Sequence, residues 1–293
     1  MRFLQVGEPG AERPVVQVED GSDATVTYDL LPLTSRIDAE FLAAGGLDRA
    51  ARAARDGDLL RTDITGQRVG TPVARPGAVL CIGMNYAAHA AESGAQLPEQ
   101  PVLFLKTPNT VGGPNDSVRI PGRSTKTDWE VELAVVIGRQ ATELSSPEEA
   151  AACIAGYAVA NDLSERTWQM EESGGQWSKG KCTAGYTPLG PWLVPAGEVD
   201  ETALRLRSWV NGEPRQDSST ADLIFPVREV IEHLSQYLTL EPGDVVLTGT
   251  PEGVALSGRF PYLQPGDVVE MEIDGLGRQR QEMVGARVGG GAQ

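Results

Sequence analysis

A β-rich α+β fold with a small N-terminal domain is what the sequence predicts, on three observations. From about residue 70 onward, short apolar runs rich in β-branched residues recur, each bounded by Gly, Pro, Asn or Asp. Helical periodicity interrupts these runs only occasionally, which argues against regular βαβ alternation. A length of 293 residues accommodates one large domain and a small one.

The elements follow in order. "PVVQVE" and "ATVTYDL" read as strands, and a stretch rich in Ala, Leu and Arg from Ile37 to about Leu60 reads as helix. The prolines of "TPVARPG" place a boundary near residue 70, so we expect domains over 1–70 and 71–286, with 287–293 a frayed tail. Strands are then expected at "AVLCIG", "PVLFLK", "ELAVVIG", "GYAVAND", "LGPWLV", "LRLRSWVNG", "DVVLTGTP" and "DVVEMEIDG". "SPEEAAACIAG" opens with Ser146 as a cap and Pro147 in the first turn of a helix, and "VREVIEHLSQYL" carries apolar residues at helical spacing.

Composition excludes several classes. A net charge of −16 opposes a nucleic-acid or anionic-membrane surface. No apolar run reaches the roughly 20 residues of a membrane span, and "MRFLQVGEPGAERP" lacks a signal peptide's apolar stretch, so the cytoplasm is the expected compartment. Cys81, Cys153 and Cys182 are odd in number and scattered, which suggests neither disulfides nor a zinc site. All four lysines, Lys106, Lys126, Lys179 and Lys181, fall between 106 and 181, and basic positions elsewhere are arginine. They are candidates for roles arginine cannot fill.

The chemistry-bearing residues are few. In "TDWEVELAVVIG", Glu130 and Glu132 stand two apart on a strand and therefore share a face. At about 4 Å and an effective dielectric near 20, their charges repel by roughly 4 kcal/mol. Solvent at a strand end would relieve this, and so would a hard divalent cation with a third carboxylate. Asp162 in "YAVANDLSER" is suited to that role, although it fits a helix N-cap equally well. His89 and Glu92 lie three apart in a helical segment, as a surface ion pair or as a base with its orienting carboxylate. His233 reads as structural. "GGQWSKGKC" comes close to a phosphate loop, but it lacks the preceding strand and following helix, and Cys182 replaces the magnesium-binding hydroxyl. In "DVVLTGTPEG", the amides and the hydroxyls of Thr248 and Thr250 suit a carboxylate, or form an ordinary strand-exit turn.

In order along the chain, "IGMNYAAHAAE", "PVLFLK", "DWEVELAVVIG", "NDLSERTWQ", "GKCTAGYTPLGPW", "VNGE", "LTGTPEGV" and "YLQPGDVVEMEIDGLG" resemble the fumarylacetoacetate hydrolase family over roughly residues 73 to 284. "LSERTWQ" and "IDGLGRQRQ" look most like the bacterial subgroup acting on 2,4-dioxo sugar acids or acylpyruvates. The resemblance implies a mixed β-roll or sandwich, commonly a homodimer, with a Mg²⁺ or Mn²⁺ site at Glu130, Glu132 and Asp162 that Ca²⁺ can also occupy. It implies that His89 and Glu92 activate water, and that Lys181 and Gln169 contact the substrate or the polar network at the metal. Arg166 shapes the site, Thr250 binds the substrate carboxylate, and Lys106 is grouped with the substrate-binding residues. The implied reaction is metal-dependent hydrolysis of a carbon-carbon bond in a 2,4-dioxo acid with release of a pyruvate-type product; decarboxylation or isomerisation of a 2-oxo dicarboxylate, or a silent ligand-binding role, are the alternatives. One departure stands out: Ala184 occupies a position that is usually acidic in the family.

Overall fold

The computed structural model describes residues 1–19, 25–92, 94 and 96–286, so the expected frayed tail at 287–293 lies outside the described residues. The N-terminal segment forms β1 (Arg2–Val6), β2 (Arg13–Glu19) and β3 (Thr25–Asp29), an antiparallel sheet. The helix expected over 37–60 is two helices, α1 (Ala39–Ala43), capped by Asp38, and α2 (Gly46–Asp56). Gly45, at φ 66°, breaks the run between them. Strands β4 (Val79–Gly83), β5 (Val102–Lys106), β6 (Val131–Ile137), β7 (Ile154–Asn161), β8 (Arg205–Val210), β9 (Glu213–Ser219), β10 (Val245–Leu247), β11 (Val268–Ile273) and β12 (Gly277–Val284) follow. Helices α3 (Ala87–Glu92), α4 (Pro147–Cys153), α5 (Arg166–Met170), α6 (Ser178–Lys181) and α7 (Val227–Ser235) are inserted between them. Ser146 caps α4 by accepting from the Glu149 amide at 3.3 Å, as the sequence predicts.

A six-stranded mixed sheet runs Val194–Pro195, β7, β6, β10, β4, β5, with β10 and β4 parallel. A five-stranded sheet runs β9, β8, β11, β12, Val118–Arg119. Strand β6 is buried along its whole length. Val131, Leu133, Val135 and Ile137 face a core shared with Leu206, Val269, Met271 and Ile273 of the second sheet. Ala134 and Val136 face a second core shared with Phe3, Val16, Ile37 and Phe41. Each such aliphatic side chain contributes about 1.5–3 kcal/mol on burial, so the two sheets and the N-terminal segment are clamped onto one strand. "LGPWLV" is mostly irregular: only Val194–Pro195 joins the sheet, and Leu193 pairs instead with Phe3. Pro191, in the middle of the run, has no N–H to give a ladder.

Candidate active site

Strand parity places Glu132 on the same face as Ala134 and Val136, just beyond the point where the N-terminal core ends. Antiparallel pairing of β6 with β7 sets Val131 opposite Asn161, and the Asp162 amide donates to the Glu130 carbonyl at 3.0 Å. This register carries Asp162 to the two glutamates: one carboxylate oxygen from each of Glu130, Glu132 and Asp162 lies within 4.8 Å of the others, all buried. The cap of α5 is Glu165, which accepts from the Trp168 amide at 2.7 Å. Asp162 is therefore not spent as a helix cap.

Cations lock two of the three acids. Lys181 Nζ donates to Glu130 Oε2 at 2.8 Å and to Asp162 Oδ2 at 2.7 Å. It reaches them because α6 lies against α5 at Gly180, where a Cβ would meet Glu165 O and Gln169 Cβ at 2.5 Å. That contact accounts for the glycine in "SKGK". Arg166 donates from Nε to Asp128 at 2.8 Å and from Nη1 to Gln169 Oε1 at 2.8 Å, and its Nη2 lies 2.7 Å from Glu130 Oε1. Asp128 also accepts the amides of Trp129, Ala255 and Leu256. Burial pushes the Glu130 carboxyl up, but Lys181 and Arg166 more than offset this and hold it well below the usual carboxylate range. Lys181 stays charged, because Asp162 and Glu130 outweigh the burial that disfavours its ammonium form.

Glu132 is different. It takes no part in these ion pairs, and its Oε2 accepts the Gly249 amide at 2.7 Å. Burial, then the charges of Asp162 and Glu130, push its carboxyl well above the usual range. With all four carboxyls ionised, Asp128, Glu130, Glu132 and Asp162 would exceed Lys106, Arg166 and Lys181 by one negative charge in a buried cluster. A hard divalent cation suits this all-oxygen donor set and would relieve the strain on Glu132.

The cluster opens into a cavity of about 470 Å³ lined by His89, Glu92, Glu130, Glu132, Arg166, Gln169, Lys181 and Thr250 among others. Buried in α3, His89 has its Nδ1 4.0 Å from Glu92 Oε2, a facing pair without a hydrogen bond. Burial lowers its pKa, and the Arg166 charge acts in the same direction, so the imidazole is neutral at pH 7. Glu92 is held from behind by the Gly253 amide at 3.0 Å and Arg259 Nη1 at 3.2 Å.

Two expected sites are placed otherwise. Lys106 does not line the cavity: its Nζ sits behind Asp162, donating to Oδ1 at 2.5 Å and to the Tyr186 carbonyl at 2.7 Å. The inward face of β5 directs it there, and its ammonium braces Asp162 rather than reaching a ligand. Thr250 does line the cavity, but its hydroxyl donates to the Val131 carbonyl at 3.0 Å and accepts from Gln216 at 2.8 Å. Thr248 likewise donates to the Leu133 carbonyl at 3.0 Å, so neither hydroxyl proton is available to a carboxylate. Ala184 leaves Lys181 anchored, since Glu130 and Asp162 fix its ammonium directly.

Sequence reasoning passed over Asp128, although its spacing of two from Glu130 signals the same face. Nor does sequence reasoning assign a role to Phe104 and Trp177, both of which line the cavity.

Comparison with known proteins places the chain in a family. The family described as fumarylacetoacetate (FAA) hydrolase C-terminal matches residues 78–284. The 2,4-didehydro-3-deoxy-L-rhamnonate hydrolase of Sphingomonas sp. (strain SKA58) is 41% identical over 288 residues, covering 97% of this chain and 96% of that protein. Among solved structures, 5-carboxymethyl-2-hydroxymuconate delta-isomerase from Mycobacterium smegmatis is similar with a TM-score of 0.76 at 33% identity, over 98% of this chain and 99% of its own. Maleylpyruvate hydrolase from Sphingobium sp. SYK-6, solved with manganese (II) ion and pyruvate, is similar with a TM-score of 0.79 at 28% identity, over 98% of this chain and 100% of its own. With a family match across most of its length and full-length relatives above 40% identity, the chain belongs to the fumarylacetoacetate hydrolase family.

Proposed function

We propose that the protein is a divalent-metal-dependent hydrolase that cleaves a carbon-carbon bond in a 2,4-dioxo acid and releases a pyruvate-type product. The observation that carries this reading is a buried imidazole lining the same cavity as Glu130 and Glu132, two members of a buried carboxylate triad whose third member is Asp162. Glu130, Glu132 and Asp162 would hold Mg²⁺ or Mn²⁺, which when bound supplies positive charge to the 2-oxo acid end of a substrate.

The chain's own residues do the rest. His89 takes a proton from water, and the resulting hydroxide adds to the distal carbonyl carbon. The bond from that carbon to the methylene then breaks, leaving its electron pair delocalised over the 2-oxo acid as an enolate. The His89 imidazolium returns the proton to the methylene carbon, giving pyruvate and a carboxylic acid, with one water consumed. Glu92 faces Nδ1 and stabilises the imidazolium between these transfers. Arg166 occupies the Gln169 carbonyl oxygen, which directs the Gln169 NH₂ toward substrate oxygens.

Incubation with an acylpyruvate and Mg²⁺ is expected to release pyruvate, and a chelator is expected to stop it. No pyruvate from a panel of 2,4-dioxo acids would refute the reading. Similarity to a muconate isomerase favours a second one, in which the same groups isomerise or decarboxylate a 2-oxo dicarboxylate without attacking water. A product of unchanged mass, or CO₂, would identify it. Saturable binding without turnover would instead identify a silent ligand-binding protein.

Arg259→Gln tests the support of Glu92. The Gly253 amide remains, and an exposed ion pair contributes about 0.2–1 kcal/mol, so kcat is expected to fall by no more than about five-fold. KM should not change; a rise in KM with constant kcat would place Arg259 in substrate binding instead.

A further inference from the structure

Beyond its charged groups and the polar Gln169, Thr250 and Ser257, the cavity has an apolar wall of Ile82, Met84, Phe104, Met170, Trp177 and Leu256. This wall is built rather than incidental. The Trp177 ring rests on Gly83, where a Cβ would meet its Cζ3 at 2.2 Å, so any side chain at 83 would displace the indole. Phe104 meets the same indole edge-on, with centroids 5.7 Å apart and planes at 62°. Lys181 Nζ sits 5.2 Å from the centre of the Phe104 ring. The apolar surface therefore begins at the lysine that clamps Glu130 and Asp162. Met170 leaves an apolar side chain 54% exposed at the same cavity.

The cations lining the cavity among the described residues are Arg166 and Lys181, each already ion-paired. A second carboxylate on the substrate would find no partner on this wall, and the carboxylates of Glu92 and Glu132 also line the cavity. Among these six side chains only the Trp177 indole N–H can meet a hydroxyl, so a polyol chain would lose water at most of its oxygens without a replacement partner on this wall.

Resting on the proposed hydrolysis, we propose that the acyl part of the substrate is apolar, an alkyl or aryl group received by Trp177, Phe104, Met84 and Met170, and that these residues discriminate against a second carboxylate and against a polyol chain.

The test is pyruvate release with Mg²⁺ from matched series of 2,4-dioxo acids whose tails are alkyl, terminal carboxylate or polyhydroxylated at equal length. In the alkyl series kcat/KM is expected to rise about 10-fold per methylene until the wall is covered. The carboxylate-ended acid should fall at least about 100-fold below its alkyl counterpart. Trp177→Ala should flatten the chain-length dependence, and Met170→Arg, at an exposed position, should improve the carboxylate-ended acid relative to the alkyl one. Equal or better turnover of the carboxylate-ended or polyhydroxylated acid by the unaltered protein overturns the proposal and leaves the hydrolytic reading standing. If no member yields pyruvate, the hydrolytic reading fails. In that case titration with 2-oxoalkanoates and 2-oxo dicarboxylates, followed by tryptophan fluorescence, decides the tail preference: tighter alkanoate binding supports it and tighter dicarboxylate binding overturns it.

Discussion

Glu130→Ala is expected to abolish Mg²⁺-dependent pyruvate release and to lower the melting temperature by on the order of 10 °C. The carboxylate is 5% exposed and lies 2.7–2.8 Å from Arg166 and Lys181, which are themselves buried. Removing one member of a buried ion pair costs about 3–5 kcal/mol, because the remaining charge keeps its desolvation penalty without its partner. Asp128 and Asp162 remain as partners, which keeps the loss within that range rather than doubling it. The sign with pH follows from the lowered pKa. Since the folded Glu130 carboxyl ionises below its ordinary value of 4.5, its stabilising contribution is fully present above that value and fades as pH falls toward the folded pKa. Glu132 runs the other way: its raised pKa means that, above 4.5, the folded state forgoes an ionisation the unfolded chain makes, a cost a bound cation relieves. A thermal melt, a Mg²⁺ titration and the pyruvate assay on the variant check all three consequences. Unchanged melting with undiminished activity would remove Glu130 from the site.

His89→Asn should lower kcat by about 10²–10⁴ while leaving Mg²⁺ binding in place, the range expected for loss of a positioned general base. The imidazole makes no hydrogen bond through Nδ1, so its replacement breaks no polar network there. In the unaltered protein the base form is needed, and burial sets the His89 pKa below its ordinary 6.5. The rate should therefore be flat through pH 7 and fall only on the acid side of 6.5. Positive charge from a bound cation moves that limb further in the same direction. An acid limb centred above 6.5, or a His89→Asn variant with full kcat, would assign the proton transfer to another group.

Much of the site was legible because its rules are local. A two-residue spacing puts Glu130 and Glu132 on one face of any strand, a three-residue spacing makes His89 and Glu92 face each other on any helix turn, and Ser146 followed by Pro147 starts a helix wherever it occurs. Similar motifs in the family's order then joined these pieces into one site. The split of 37–60 was less legible, because a short glycine pair in an otherwise helical composition reads as tolerated until Gly45 is seen at positive φ.

What the sequence by itself determined is the inventory: which carboxylates share a strand face, which imidazole has a carboxylate in reach, and most of the strand-forming runs. What only the tertiary structure decided is direction. The β6–β7 register brought Asp162 to the glutamates, the inward face of β5 sent Lys106 behind Asp162 instead of into the cavity, and two backbone carbonyls of β6 consumed the hydroxyl protons of Thr248 and Thr250. It also placed Phe104 and Trp177 on the wall of a cavity. The physical reason is common to Asp162, Lys106, Thr248 and Thr250: side-chain periodicity is fixed by the backbone a few residues at a time, whereas the partner that satisfies a buried charge or hydroxyl comes from a segment dozens of residues away, and nothing in the local pattern names it.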